Sequence, residues 1–191
     1  LMPFEIKNLP LSGLKLITRQ RLGDERGFFS RLFCAEELAT MGWEKPITQI
    51  NHTLTEAKGT VRGLHYQAPP YAEVKLVSCL RGIVWDVAVD LRVNSPSFLN
   101  WHAQLLSSEN NHAMLIPEGF AHGFQTLTDN VELLYVHSEF YRPEAEEALN
   151  VKDPKISIAW PLEVNNLSKR DGEHPFITNK FKGICDELSS L

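Results

Sequence analysis

The sequence predicts an all-β protein, a sandwich or barrel of short strands. Two observations carry this. Runs rich in aliphatic, aromatic and β-branched residues recur at roughly 8–12-residue spacing between Gly27 and Phe140. Turn-forming residues stand between them: Lys58-Gly59, Ala68-Pro69-Pro70, Arg81-Gly82, Asn94-Ser95-Pro96, Glu109-Asn110-Asn111, Pro117-Glu118-Gly119 and Thr128-Asp129-Asn130. No internal repeat, low-complexity tract or linker divides the chain. Its 191 residues therefore read as a single domain over 1–191.

In chain order, the strand candidates are Gly27–Cys34, Thr48–Leu54, Thr60–Gln67, Glu73–Leu80, Ile83–Leu91, Trp101–Leu106, His112–Ile116, His122–Leu127 and Val131–Phe140. A short helix is expected over Ala35–Met41, ending at Gly42. In the C-terminal third, Asp153-Pro154 and Trp160-Pro161 mark extended or turning chain, because the residue before proline avoids the α region. A last helix is expected near Gly183–Leu191, within a helical tail over about 175–191.

Side-chain alternation assigns faces. In Ile83–Leu91, Ile83, Trp85, Val87 and Val89 form one side, and Val84, Asp86, Ala88 and Asp90 the other. Two carboxylates on one face of an apolar strand leave two readings open: a solvated face, or one lining a polar cavity.

A 43% hydrophobic and 23% charged composition fits an ordinary globular protein. The formal net charge of −5 argues against a nucleic-acid backbone as partner, though not against a local basic pocket for a nucleotide's phosphates. Cys34, Cys79 and Cys185 are odd in number and widely spaced, which suits neither a disulfide framework nor a zinc knuckle, and points to the reducing cytoplasm. No apolar run reaches the ~20 residues a membrane helix needs, and the N-terminus lacks a signal-peptide pattern.

Three segments carry candidate chemistry. Val61-Arg62-Gly63-Leu64-His65-Tyr66-Gln67, followed by Lys75, concentrates cations that are costly to bury unless the ligand is anionic or develops negative charge. A lone strand histidine is more often structural; the clustering argues otherwise. In Pro117-Glu118-Gly119-Phe120-Ala121-His122-Gly123-Phe124, glycine next to a histidine permits close approach of a ligand or another strand, while a tight corner is the plainer reading. In Val131-Glu132-Leu133-Leu134-Tyr135, Val131, Leu133 and Tyr135 share a face, and such a tyrosine is usually core. Strict alternation separates Arg62 from His65. Both reach one cavity only if Gly63 sits in a bulge or kink.

These segments, with Asp24-Glu25-Arg26-Gly27-Phe28-Phe29, Gln49-Ile50-Asn51, Lys75-Leu76-Val77, Asp86-Val87-Ala88-Val89-Asp90-Leu91-Arg92, Ile158-Ala159-Trp160-Pro161 and Ser168 to Asp171, closely resemble the dTDP-4-dehydrorhamnose 3,5-epimerase family over residues 3–178. The resemblance implies a cupin-type jelly-roll barrel (double-stranded β-helix) with a few short peripheral helices. It also implies a metal-free, cofactor-free homodimer in which the N-terminal strand of one subunit completes the partner's site. The implied substrate is a nucleotide-linked 4-keto-6-deoxy sugar, and the implied role is deoxysugar biosynthesis of the rhamnose-like, O-antigen kind. By the same resemblance His65 is the base, Asp171 its orienting carboxylate, Tyr135 the acid and Lys75 the cation beside the enolate. Gln49, Asn51, Arg62, His122, Tyr141 and Arg170 match substrate-contact positions, and Arg26 and Phe28 match the strand shared with the partner.

Those residue types suit the reaction. A C4 ketone acidifies the C3 and C5 hydrogens; inversion needs a base on one face and a proton donor on the other. Imidazole, with a pKa near ~6.5, supplies the base, and phenol, near ~10, the donor.

The chain departs from the family pattern in several places. Ser30-Arg31 follows Arg-Gly-Phe-Phe where a glutamate is usual two residues on. Arg170 replaces a lysine, Val136 follows the acid tyrosine where lysine is common, and Phe140-Tyr141-Arg142-Pro143 replaces Tyr-Tyr-x-Pro. These changes fall on nucleotide contacts, so dTDP, CDP and GDP all stay open, as does inversion at C3 alone or at both carbons. Two other readings compete. One is a metal-dependent cupin oxygenase or isomerase, which would want a His-x-His pair where the chain has His65-Tyr66-Gln67. The other is a non-catalytic sugar-nucleotide binder.

Overall fold

The strand signals become an antiparallel two-sheet barrel in a computed structural model that describes residues 3–185. Among these residues the strands are β1 (Glu5–Asn8), β2 (Lys15–Thr18), β3 (Arg21–Asp24), β4 (Gly27–Ser30), β5 (Gln49–Thr55), β6 (Val61–Gln67), β7 (Lys75–Arg81), β8 (Ile83–Asp90), β9 (Trp101–Ser107), β10 (His112–Ile116), β11 (Phe120–Thr126), β12 (Val131–His137) and β13 (Glu146–Ala148). Two short helices, α1 (Ala35–Ala39) and α2 (Lys169–Glu173), accompany them. One sheet runs β1-β2-β10-β7-β12-β5 and the other β13-β6-β11-β8-β9, while β3 and β4 form a separate hairpin.

Period-2 alternation explains the layering. Inward residues such as Val77, Met114, Ile116, Val84, Ala88, Phe124 and Leu133 pack between the sheets. Outward Val61, Leu64, Tyr66, Val87 and Val89 are covered by the C-terminal segment through Leu149, Val151, Ile156 and Ile184. The outer face of the six-stranded sheet, with Leu76, Leu115 and Val136, packs against Leu38 of α1 and Trp43. Each fully buried aliphatic side chain contributes on the order of 1.5–3 kcal/mol. The barrel interior is apolar toward one end and polar toward the other.

The faces assigned to Ile83–Leu91 hold, but the solvated reading does not. Asp86 and Asp90 are both fully buried, because their face is the inside of the barrel. Asp90 is held by Arg92, Ser95 and Ser97.

Other expectations need correction. The strand expected over Gly27–Cys34 stops at Ser30, where the chain leaves its hairpin partner β3. The helix expected over Ala35–Met41 ends at Ala39. The expected C-terminal helix is absent over the described residues 175–185. There the backbone is irregular and Ile184 bridges Arg92 instead, drawn down by its apolar contact with the outer core; the remainder of that expectation, 186–191, lies outside the described residues. Strands β1, β2, β3 and β13 and helix α2 carried no clear signal, since each is only three to five residues long. No helix among the described residues is long and apolar enough to cross a membrane.

Candidate active site

The polar end of the barrel holds a cavity of about 630 Å³, within the range typical of small-molecule sites. One irregularity builds it. On β6, Val61, Leu64 and Tyr66 face the outer core, while Arg62, His65 and Gln67 line the cavity. Alternation therefore slips by one residue between Arg62 and His65. The slip is a bulge against β11, where His122 pairs with His65 but Phe124 pairs with Arg62. Gly63 makes it possible. Its φ is +128°, and a Cβ there would lie 2.6 Å from the Gly123 Cα and 2.8 Å from the His122 carbonyl oxygen. The two glycines let β6 and β11 touch backbone to backbone, so the condition under which Arg62 joins His65 is met.

His65 is held from behind. Its Nε2 lies 2.8 Å from Asp171 Oδ1, and the Gly63 amide donates to Asp171 Oδ2 at 3.3 Å. Asp171 arrives on α2, whose N-cap Ser168 accepts a hydrogen bond from the Asp171 amide. In a capping box the acid at this position turns back on the cap; here its carboxylate is directed at the imidazole. Burial acts to raise the Asp171 carboxyl, but the His65 hydrogen bond and charge and the Gly63 amide outweigh it and hold it below the ordinary carboxylate range. An ionised carboxylate only accepts, so Nε2 carries the proton and Nδ1 is left with its lone pair.

A second dyad lies deeper. His122 Nε2 is 2.7 Å from Asp86 Oδ1, and both side chains are buried. Burial pushes the Asp86 carboxyl up, against the pull of His122.

Tyr135 comes from β12 in the opposite sheet. Its ring meets His122 edge-on at 5.9 Å and stacks on His137 at 6.0 Å, which fixes its orientation. Burial, and then the charge of Asp86, push its phenol above the ordinary tyrosine value.

Lys75, on β7 beside β12, is paired with Glu73 at 3.0 Å. Glu73 also receives His137 Nδ1 at 2.8 Å, and His137 Nε2 contacts Asn51 Nδ2 at 3.3 Å. Sequence reasoning missed Glu73 and His137. A partial signal was present for His137, which lies two residues from Tyr135 on β12 and so shares its face; Glu73 precedes β7, where alternation says nothing.

Gln49, Asn51, Arg62, His65, Lys75, His122, Tyr135 and Tyr141 therefore line one cavity, with Asp171 behind it. Among the described residues, no group of three or more His, Cys, Asp or Glu side chains is placed to hold a metal ion.

A family model described as dTDP-4-dehydrorhamnose 3,5-epimerase matches residues 8–179. The chain belongs to that family. A dTDP-4-dehydrorhamnose 3,5-epimerase of Shigella flexneri is 45% identical over 150 residues, covering 78% of this chain and 82% of the relative. A crystal structure of dTDP-4-dehydrorhamnose 3,5-epimerase from Bacillus anthracis with TDP and PPi bound gives a TM-score of 0.87 at 34% identity, over 91% of this chain and 99% of that one. A 3,5-epimerase from Legionella pneumophila in complex with dTDP-4-keto-L-rhamnose gives 0.85 at 39%, over 91% and 92%. The jelly-roll barrel expected from the family is the fold observed.

The remaining candidates of this epimerase-family chain lie outside the cavity wall. Arg170 faces an adjoining depression that shares Arg62 and His65 with the cavity. It pairs with Glu146 at 2.7 Å, and Glu146 also accepts from the Tyr141 hydroxyl at 2.8 Å. Arg31 is engaged by Glu37 of α1. Arg26 and Phe28 are not brought to the cavity by their own chain. They sit on the β3–β4 hairpin, where Arg26 pairs with Asp24 and Phe28 and Phe29 are 60% and 67% exposed.

Proposed function

We propose that the protein is a cofactor-independent epimerase that inverts carbon next to the C4 ketone of a dTDP-linked 4-keto-6-deoxy sugar, in deoxysugar biosynthesis. The observation that carries this reading is the placement of His65 and Tyr135 on opposite sheets of one cavity, with Lys75 lining the same cavity from β7, the strand next to that of Tyr135. His65 Nδ1 takes the proton from C3 or C5. Asp171 stabilises the imidazolium that forms, as a buried carboxylate does in acyl-transfer triads. The electron pair moves onto the C4 oxygen, where Lys75 meets the new charge; loss of one such donor typically costs on the order of 10²–10³ in rate. Tyr135, kept protonated by its surroundings, returns a proton from the opposite face. Arg62 and Arg170 carry positive charge for the diphosphate, and the TDP and dTDP-4-keto-L-rhamnose bound in the two crystallised relatives support a thymidine nucleotide.

A second copy of the chain supplies Arg26 and Phe28. The exposed Leu22, Phe28 and Phe29 of the hairpin and the exposed Ile50 and Leu54 of the edge strand β5 are apolar surfaces that a homodimer would cover. Sedimentation should give a dimer, and Phe28→Asp should shift it toward monomer. Three unpaired cysteines support a cytoplasmic setting.

The test of function is solvent exchange. Incubated in heavy water with dTDP-, CDP- and GDP-linked 4-keto-6-deoxy sugars, the protein should place deuterium at C3, at C5 or at both, fastest with the dTDP sugar. His65→Ala should abolish uptake. Absence of uptake with all three would overturn the reading.

A further inference from the structure

Resting on the epimerase reading, we propose that Glu73 is a positioning residue that holds Lys75 and His137 as one hydrogen-bonded unit on the enolate side of the cavity. The Glu73 carboxylate is buried, its side chain 9% exposed, and each oxygen has its own partner. Oε1 accepts from the Lys75 ammonium at 3.0 Å, and Oε2 accepts from His137 Nδ1 at 2.8 Å.

This fixes the imidazole. A carboxylate can only accept, so Nδ1 carries the hydrogen and Nε2 holds a lone pair. The Asn51 amide meets that lone pair at 3.3 Å, and the Asn51 carbonyl accepts from Gln49 at 3.3 Å. The chain Lys75, Glu73, His137, Asn51, Gln49 thus crosses three neighbouring strands, β7, β12 and β5. With that tautomer, each hydrogen bond along it pairs one donor with one acceptor. Reversing any one would place two donors or two acceptors face to face.

The consequence is preorganisation. Lysine is a point charge on a flexible four-carbon stem, and an ammonium must stand where oxyanion charge will develop before that charge appears. Glu73 holds Lys75 in place through the 3.0 Å pair. Because Glu73 is shared with His137, its negative charge is divided between two donors, so less of it opposes the attraction of Lys75 for the enolate. The same imidazole fixes the Asn51 amide, whose second N–H is left for substrate. His137 also stacks on Tyr135, so the unit supports the ring of the proton donor.

Glu73→Gln tests this. Glutamine keeps the size but cannot accept from Lys75 and His137 together. The turnover number should fall about 10–100-fold, by analogy with the loss when a partner that orients a metal ligand is removed. KM should stay within about threefold, since the unit acts as charge develops rather than on ground-state binding. Deuterium entry at C3 should fall with it. His137→Phe, which leaves the Lys75–Glu73 pair, should cost less, and the double variant should be no slower than Glu73→Gln alone. Unchanged turnover in Glu73→Gln, or a raised KM at unchanged turnover, overturns the proposal. If Glu73→Gln fails to fold, the His137→Phe variant decides: full turnover and exchange there overturn it. The wild-type protein separates the two readings. If it does not exchange, the epimerase reading falls; if it does and the Glu73 variant equals it, only the positioning role falls.

Discussion

Asp171→Asn should disable the base while leaving the barrel intact. The carboxylate has two partners, His65 Nε2 at 2.8 Å and the Gly63 amide at 3.3 Å. An asparagine has one oxygen and one NH2. The backbone amide of Gly63 can only donate, so the side-chain oxygen must face it, leaving the NH2 facing Nε2. The imidazole then has to accept there, and its proton moves to Nδ1, the nitrogen that should take a proton from the sugar. The variant also loses the charge that stabilises the imidazolium. At an effective dielectric of 20 and a charge separation of about 4 Å this is worth roughly 4 kcal/mol, or about a thousandfold in rate. With the wrong tautomer added, kcat/KM should fall by about 10³–10⁴, comparable to the corresponding change in a serine-protease triad. The assay is deuterium incorporation followed by proton NMR, with circular dichroism to show a retained fold. A loss of less than tenfold, with the pH profile unchanged, would refute the argument that Asp171 sets the tautomer.

Tyr135→Phe should retain exchange yet lose inversion, because His65 can still remove and return a proton on its own face; NMR of the product should show deuterium with retained configuration. Gly63→Ala should destabilise the fold by about 3 kcal/mol, the range of an overpacked core site, since its Cβ would lie 2.6 Å from the Gly123 Cα. For a chain of this size that lowers the melting midpoint by roughly 6–12 °C. Stability should fall in acid. In Glu73, Asp90 and Asp171 burial acts to raise the carboxyl, but cations and hydrogen-bond donors outweigh it, so each is held below its ordinary value. Their stabilisation is complete above the unfolded values of about 3.9–4.3 and is lost as pH falls through the lower folded ones. Urea midpoints measured from about pH 7 down to about pH 3 should drop at the acid end, and less steeply in Asp171→Asn.

Strand positions and faces were legible because alternation is local. Ile83–Leu91 shows this: four apolar residues on one side, two carboxylates on the other, both confirmed as faces. The N-terminal strands were not legible, because four-residue segments such as Glu5–Asn8 and Arg21–Asp24 carry too few alternations to register. The site was legible in part. The cluster around Arg62, His65 and Lys75 stood out as a concentration of cations, and the family resemblance supplied Asp171 and Tyr135, which composition alone would not have singled out.

By itself the sequence determined which side chains could share a strand face and which family the chain resembles. Only the tertiary structure decided whether the solvated or the cavity reading of Asp86 was right, whether Arg62 could join His65, and that Glu73 and His137 belong with Lys75. The reason is physical. Alternation along one strand is fixed by the backbone's own pleat, whereas a bulge against β11, or a hydrogen bond between β12 and the residues leading into β7, depends on register between strands far apart in the chain. That register is set by the packing of the whole barrel, and no local pattern encodes it.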